Sequence, residues 1–243
     1  MTLISLIGGG WSPQSRDAVY GPFLAAAGPQ PAVACVVIDE GDGQAEYQRW
    51  QTVLAATASC EPFAVLVPLN GRFDVSQLDR ADALLVCGGL TPAYAAALAP
   101  VAAPIRDWLA AGRPYAGFSA GAAIAADRAL IGGWLLDGRP VCPEDSSEDL
   151  DEVTVVPGLG LLPVSVDVHC SQWGNLSRAV AAVRAGLVPS AIAIDEDTAF
   201  LVQADGAGLV AGAGAMHVIT RHGAGVIVTA LTAGQVTPQL ADR

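Results

Sequence analysis

Histidine is scarce in this sequence: it occurs three times in 243 residues, as His169, His217 and His222. The five cysteines (Cys35, Cys60, Cys87, Cys142, Cys170) are odd in number and include no Cys-x-x-Cys pair. Neither set has the spacing of a metal site, so no metal and no other cofactor is expected. Cys35 and Cys87 lie inside apolar runs, where a free thiol behaves as a small hydrophobe, and a reducing cytoplasm suits the whole set best. Cations are short as well, with 12 basic against 24 acidic residues and a formal charge of −12. Without a surplus of positive charge to neutralise phosphates, nucleic acid is not an expected partner. No run approaches the roughly 18 uninterrupted apolar residues that a membrane span needs. The stretch Leu3–Ile7 is short, lacks a basic lead-in and runs into Gly8-Gly9-Gly10, so it reads as a buried strand and not a signal peptide.

What is present builds a core. Hydrophobic residues make up 52% and charged ones 15%, which excludes a disordered chain. The length suits one domain over residues 1–243, without an internal repeat or a linker. Strands are expected at Thr2–Ile7, Ala32–Ile38, Phe63–Val67, Asp82–Cys87 and the run ending at Phe118. Helices are expected at Ser15–Ala27, Gln44–Ser59 and from Thr91-Pro92 to about Ala111, with Thr91 as cap. Alternation at this spacing indicates an α/β fold, a mostly parallel sheet between helical layers. Further strands are expected at Val164–Val168 and Ala191–Ile194, with a helix from Asn175 to about Ala185. The glycine-rich remainder, with short pieces at Phe200–Gln203, His217–Thr220 and Val226–Thr229, suggests antiparallel edge strands.

In such sheets ligands bind beyond the carboxyl ends of the strands. Two signals fall there. Cys87-Gly88-Gly89 ends the fourth strand, and Gly117-Phe118-Ser119-Ala120-Gly121 ends the fifth. A Gly-x-Ser-x-Gly sequence between a strand and a small-residue helix places its serine on a sharp turn, hydroxyl outward, with a helix amino terminus behind it. Gly8-Gly9-Gly10 invites a phosphate-loop reading, but the further glycine of a dinucleotide fingerprint and the Gly-Lys-Ser/Thr of a P-loop are missing. The segment Glu144–Glu152 carries six carboxylates in nine residues. It reads as a solvated loop or, if it flanks the site, as one favouring cationic over anionic ligands.

A serine hydroxyl needs a base within hydrogen-bond reach and an acid to orient that base. Asp167-Val168-His169 and Ile194-Asp195-Glu196 both close apolar strands, so their side chains are expected at the same sheet edge as Ser119, with either Asp195 or Glu196 as the acid.

These pieces, in this order, resemble the peptidase E and cyanophycinase group of serine peptidases, built on a class I glutamine amidotransferase-like, three-layer α/β/α fold of flavodoxin type. The resemblance rests on Cys87-Gly88-Gly89, Gly117–Ala122, Asp167-Val168-His169 and Ile194–Ala199, with Gly158–Leu162 as further support. It implies Ser119 as nucleophile, His169 as general base and Glu196 as orienting acid. The backbone amides of Gly89 and Ala120 would form the oxyanion hole. A small peptide or isopeptide would be hydrolysed through an acyl-enzyme, in a cytoplasmic protein that could form a homodimer.

The sequence departs from the family where substrate is recognised. The family generally has Asp or Asn after the paired glycines, and here the residue is Leu90. Cyanophycinases follow the histidine with Phe and an arginine-rich run, whereas Cys170-Ser171-Gln172-Trp173 follows here and only Arg178 is kept. Leu90, Trp173 and Arg178 are the substrate-contact candidates, Arg178 either anchoring a substrate carboxylate or lying on a helix surface. Three other readings stay open: an α/β-hydrolase esterase using His217 or His222, a glutaminase, and a non-catalytic binding module on the same fold. The glutaminase reading meets Ser119 where those enzymes use Cys, and His169-Cys170-Ser171 where they carry a His-x-Glu pair.

Overall fold

Six successive residues of the run Ala32–Asp39 are buried, which a strand achieves only with cover on both faces. The computed structural model describes residues 3–203 and 207–237. Thr2, placed by the sequence at the head of the first strand, lies outside the described residues, as do positions 1 and 238–243 of the single-domain expectation. The first half alternates β1 (Ile4–Ile7), α1 (Arg16–Ala27), β2 (Ala32–Asp39), α2 (Gly43–Thr57), β3 (Glu61–Pro68), β4 (Ala83–Val86), α3 (Thr91–Leu98), α4 (Ala102–Ala110), β5 (Tyr115–Phe118) and α5 (Ala120–Ala123). Short strands follow: β6 (Arg128–Gly132), β7 (Leu135–Leu136), β8 (Arg139–Pro140) and β9 (Thr154–Pro157). The chain then forms β10 (Ser165–Val168), α6 (Cys170–Trp173), α7 (Leu176–Ala185), β11 (Ser190–Ile194), β12 (Thr198–Val202), β13 (Gly208–Gly212), β14 (Ala215–His222), β15 (Gly225–Thr232) and β16 (Val236–Thr237).

Among the described residues an eight-stranded sheet has the order β16-β13-β12-β1-β5-β4-β2-β3. Strands β1, β5, β4, β2 and β3 pair in parallel, while β12, β13 and β16 add antiparallel at the β1 side. The fold is thus α/β with a large, mostly parallel central sheet and antiparallel late strands. Successive side chains of a strand point to opposite faces. On β2, Val33, Cys35 and Val37 pack with Phe23 of α1 and Trp50 and Leu54 of α2. Ala34, Val36 and Ile38 pack instead with Leu98, Ile105 and Leu109 of α3 and α4. Each such fully buried large side chain contributes about 1.5–3 kcal/mol by leaving water.

Two expectations need correction here. The helix expected from Thr91 to Ala111 is broken into α3 and α4 by a 3₁₀ turn at Ala99–Val101, because Pro100 has no amide to continue the ladder. Thr91 is not the cap either: Leu90 occupies that position without a side-chain bond. The Thr91 amide instead donates to Glu148 Oε2 at 2.8 Å.

The third correction concerns the site. Strands β10 and β11 do not join the sheet that carries Ser119. They pair with each other in parallel and continue through β14 and β15 as a separate four-stranded sheet. The turn after β1 knits the two sheets together. Gly8 N donates to Thr198 O at 3.0 Å, His169 N to Gly8 O at 2.9 Å and Asp197 N to Gly9 O at 2.7 Å.

Candidate active site

Strand β5 is pinned on both sides where it ends. Ser119 N donates to Ile7 O of β1 at 2.9 Å, and Gly121 N to Cys87 O beyond β4 at 3.2 Å. Between these anchors the chain must turn sharply, and Ser119 has φ 51° and ψ −109°, a conformation that non-glycine residues hold only when their surroundings impose it. The flanking glycines are demanded by close approach. A methyl on Gly117 would lie 2.4 Å from Gly121 C, and one on Gly121 would lie 2.2 Å from Val86 O. The Tyr115 hydroxyl, buried under the turn, donates to Gly121 O at 2.7 Å. The helix behind Ser119 is a single turn, Ala120–Ala123. Gly121 N is taken by Cys87 O, and Ala122 N and Ala123 N by Ser119 O, so the Ala120 N–H is what that end can offer to negative charge, and not the summed dipole of a long helix.

His169 also sits at a strained turn, left-handed with φ 54° and ψ 34°. Its Nε2 is 2.7 Å from Ser119 Oγ and its Nδ1 is 2.8 Å from Glu196 Oε1. A carboxylate only accepts, so Nδ1 carries the proton and the Nε2 lone pair faces the serine hydroxyl. Burial holds the imidazole pKa below its ordinary value of 6.5, against the opposing pull of Glu196. The ring of Trp173 stacks on it at 3.9 Å and 6°. Ser119 is consequently only 6% exposed, less open than the sequence suggested, though it still faces two cavities.

Of the two candidate acids, Glu196 alone meets the imidazole. Asp195 accepts from Ser171 N and Ala215 N, both at 3.0 Å, and so ties α6 to β14. His217 Nε2 is buried without a hydrogen-bond partner, 4.0 Å from Asp195 Oδ1. His222 closes β14 at an exposed hairpin. The Ser119 hydroxyl is thus engaged by His169, and neither late histidine takes that place.

Each cavity is about 540 Å³. One is lined by Trp11, Glu40, Glu46, Gly88, Gly89, Ser119 and His169, the other by Glu40, Gly89, Leu90, Ser119, Trp173 and the acidic segment Glu144–Asp149. Gly89 and Leu90 therefore stand beside the serine, and Ala120 opens α5 next to it, its amide free of any intrahelical acceptor. The acidic segment flanks the site and is not merely solvated. Burial raises the pKa of Glu148 despite the Thr91 amide at its carboxylate. Arg178 contradicts both sequence readings of it. It is 3% exposed and bonded to Asp167, Ser146 and Gly133, so it neither lies on the surface nor reaches a substrate carboxylate.

Two contributions escaped the sequence reading. Gly9 closes against the imidazole: a methyl there would lie 2.1 Å from His169 Cε1. Gly9 is a seat for the histidine, while Gly8 closes against the carbonyls of Ile194 and Asp195 and Gly10 against Asp197. Glu40 touches both cavities, and its Oε1 accepts from Leu90 N at 3.1 Å. Its position just past the carboxyl end of the parallel strand β2 was the available signal.

No family model matches the chain. Its sequence is similar to the cyanophycinase of Trichormus variabilis, 33% identical over 162 residues, covering 66% of this chain and 49% of that protein. The cyanophycinase of Synechococcus elongatus is 30% identical over 149 residues, covering 60% and 44% respectively. The chain thus spans about half the length of the curated relatives it matches. A peptidase from an acI-B1 actinobacterium superposes with a TM-score of 0.70 at 17% identity, covering 98% of this chain and 96% of the other. A peptidase E-type protein of Listeria monocytogenes EGD-e gives 0.55 at 15% identity, covering 96% and 100%. At these identities the structural likeness is one of fold.

Fold and site together define an α/β protein with a serine at a strand-to-helix turn, an imidazole against it and a carboxylate against the imidazole. Its sequence relatives are cyanophycinases, its fold neighbours a peptidase and a peptidase E-type protein, and the chain is similar to that group.

Proposed function

We propose that the chain is a serine peptidase that hydrolyses a small peptide or isopeptide amide through an acyl-enzyme. The observation that carries this reading is the continuous chain of contacts Ser119 Oγ–His169 Nε2 at 2.7 Å and His169 Nδ1–Glu196 Oε1 at 2.8 Å. Ser119 Oγ attacks the amide carbonyl carbon and its proton passes to His169 Nε2. The imidazolium so formed is stabilised and kept in orientation by Glu196. His169 then delivers that proton to the departing nitrogen, the C–N bond breaks, and the acyl group remains on Ser119. A water molecule, deprotonated by the same nitrogen, releases the acid. The Gly89 and Ala120 amides are assigned to the oxyanion, where each such donor contributes about 3–4 kcal/mol to the transition state. Leu90 and Trp173 would contact the substrate from the cleft wall.

The names of the relatives, cyanophycinase and peptidase, support a peptide or isopeptide as substrate. The sheet, with apolar packing on both of its faces, supports the three-layer, class I glutamine amidotransferase-like assignment. Five free thiols support a cytoplasmic location, and no helix among the described residues is long and apolar enough to cross a membrane. The test is a library of dipeptides with acidic, basic and β-linked amino-terminal residues, incubated with wild-type and Ser119→Ala protein. Turnover of at least one member by the wild type and none by the variant is expected. Equal turnover by both proteins would overturn the mechanism.

A further inference from the structure

Strands β2 and β4 part at the mouth of the cleft, and a tyrosine hydroxyl stands between them. The two are in register through Val36 and Val86, and Cys87 N still donates to Val36 O at 3.0 Å. The evenly spaced pattern of a parallel ladder would next take Ile38 N to Cys87 O and Gly89 N to Ile38 O. Among the described residues neither bond forms. Cys87 O accepts from Gly121 N at 3.2 Å, and Ile38 N donates to Tyr94 Oη at 3.2 Å. The Tyr94 hydroxyl donates onward to Gly88 O at 2.9 Å. Tyr94 lies in the first turn of α3 and is fully buried. Burial raises its pKa, which keeps the proton on the hydroxyl as a donor.

Gly88 O and Gly89 N–H belong to one planar trans peptide, in which they point in opposite directions. Fixing the carbonyl therefore aims the amide. The loop is held on its other side by Glu40, whose Oε1 accepts from Leu90 N at 3.1 Å. Gly89 is gripped between the two side chains: a methyl on it would lie 3.0 Å from Glu40 Oε1 and 3.2 Å from Tyr94 Cε2. The loop also abuts the serine, since a methyl on Gly88 would lie 3.2 Å from Ser119 Cβ.

We propose that Tyr94 and Glu40 are positioning residues that clamp this loop: the buried hydroxyl replaces a rung between β2 and β4, and the clamp keeps the Gly89 amide out of the ladder and aimed at the oxyanion. This rests on the reading of Ser119 as the nucleophile and of Gly89 N as an oxyanion donor. The Tyr94 hydroxyl touches no reacting atom. Its loss turns the Gly88-Gly89 peptide and leaves the Ser119–His169–Glu196 contacts in place.

The test is the rate of Ser119 labelling by a fluorophosphonate, whose phosphoryl oxygen takes the place of the oxyanion, followed against probe concentration and pH. Tyr94→Phe keeps the ring and removes only the hydroxyl. Its saturating rate is expected to fall by about tenfold or more, part of the roughly 10²–10³-fold that loss of one oxyanion donor costs. The half-saturating probe concentration and the acid midpoint set by His169 are expected to stay where they are. A merely structural role would lower Tm and leave the rate of the folded protein unchanged. Because Tyr94→Phe can fail to fold, Glu40, on the exposed side of the loop, supplies a second arm. Glu40→Ala is expected to lower the saturating rate severalfold, and Glu40→Gln, which keeps an acceptor for Leu90 N, to recover most of it. An undiminished rate in folded Tyr94→Phe or in Glu40→Ala overturns the inference, as does a shifted acid midpoint or a Glu40→Gln that behaves as Glu40→Ala does. Those outcomes in a chain whose wild type is labelled overturn only this inference. Folded wild type that takes no label overturns the proposed reaction, and the clamp's role with it.

Discussion

Gly9 supports the imidazole of His169 from below, with no room for even a methyl group between them: a Cβ at Gly9 would lie 2.1 Å from Cε1 and 2.5 Å from Nδ1. Gly9 also has φ 110°, where an L side chain is strained. Gly9→Ala is therefore expected to push the ring off Ser119. A displacement of ~1 Å in a catalytic group lowers rates about 100-fold. The labelling rate of Ser119 by a fluorophosphonate, measured on folded variant protein, checks this. A rate within twofold of wild type would mean that the ring is not seated by Gly9.

Glu196 and Asp195 are adjacent in sequence and are given different work by the structure. Glu196→Gln removes the negative charge facing His169 Nδ1 and lets an amide NH₂ face that nitrogen and favour the wrong tautomer, and is expected to lower turnover by about 10⁴-fold, as when the orienting acid of such a triad becomes its amide, with little change in Tm. Asp195→Asn instead removes an acceptor for Ser171 N or Ala215 N, and an unsatisfied buried amide costs about 1–3 kcal/mol of stability. Parallel turnover and thermal melts of the two variants separate these roles. The reverse pattern would reassign the acid.

The pH dependence follows from the burial of His169. Its pKa is held below 6.5 by desolvation, and the neutral ring is the form that accepts the serine proton. Activity is therefore expected to be complete at pH 7 and to fall as pH drops through a midpoint below 6.5. The same group makes folding less favourable in acid, since the unfolded chain binds this proton more readily than the folded one. A rate–pH profile for Ser119 labelling with its acid midpoint above 6.5 would contradict the assignment.

Trp173 stacks on His169 while leaving 42% of its own surface exposed to the cleft. Trp173→Ala removes a stacked pair worth about 0.5–1.5 kcal/mol and opens the ring to water. An upward shift of the acid midpoint toward 6.5 is expected, together with weaker substrate binding. An unchanged midpoint in the rate–pH profile would show that the indole does not control the solvation of the imidazole.

Much of this was legible before any coordinates. The Gly-x-Ser-x-Gly turn was readable because close approach leaves glycine as the residue that fits at 117 and 121. The parallel strands were readable from continuous apolar runs such as Ala32–Ile38. What stayed hidden was long-range. That β10 and β11 form their own sheet depends on pairing with β14, some 20 to 50 residues away in the chain, and local pattern carries no record of that. Gly8-Gly9-Gly10 announced a special backbone, but its reasons, the His169 ring against Gly9 and the Ile194–Asp197 segment against Gly8 and Gly10, lie 160 residues or more further on. Arg178 looked like any helix arginine because its partners, Asp167 and the carbonyl of Ser146, are set by the fold. The acidic run could be read as solvent-facing or site-facing, and only its bonds to Thr91 and Arg178 decide.

The most direct measurement is mass spectrometry of the folded protein after exposure to a fluorophosphonate, with peptide mapping of the adduct. A single adduct on Ser119 is expected, absent from Ser119→Ala and heat-unfolded protein, and strongly slowed in His169→Ala but not in His217→Ala or His222→Ala. Folded wild-type protein that takes up no label, or takes it up on another residue, would contradict a nucleophilic Ser119 activated by His169.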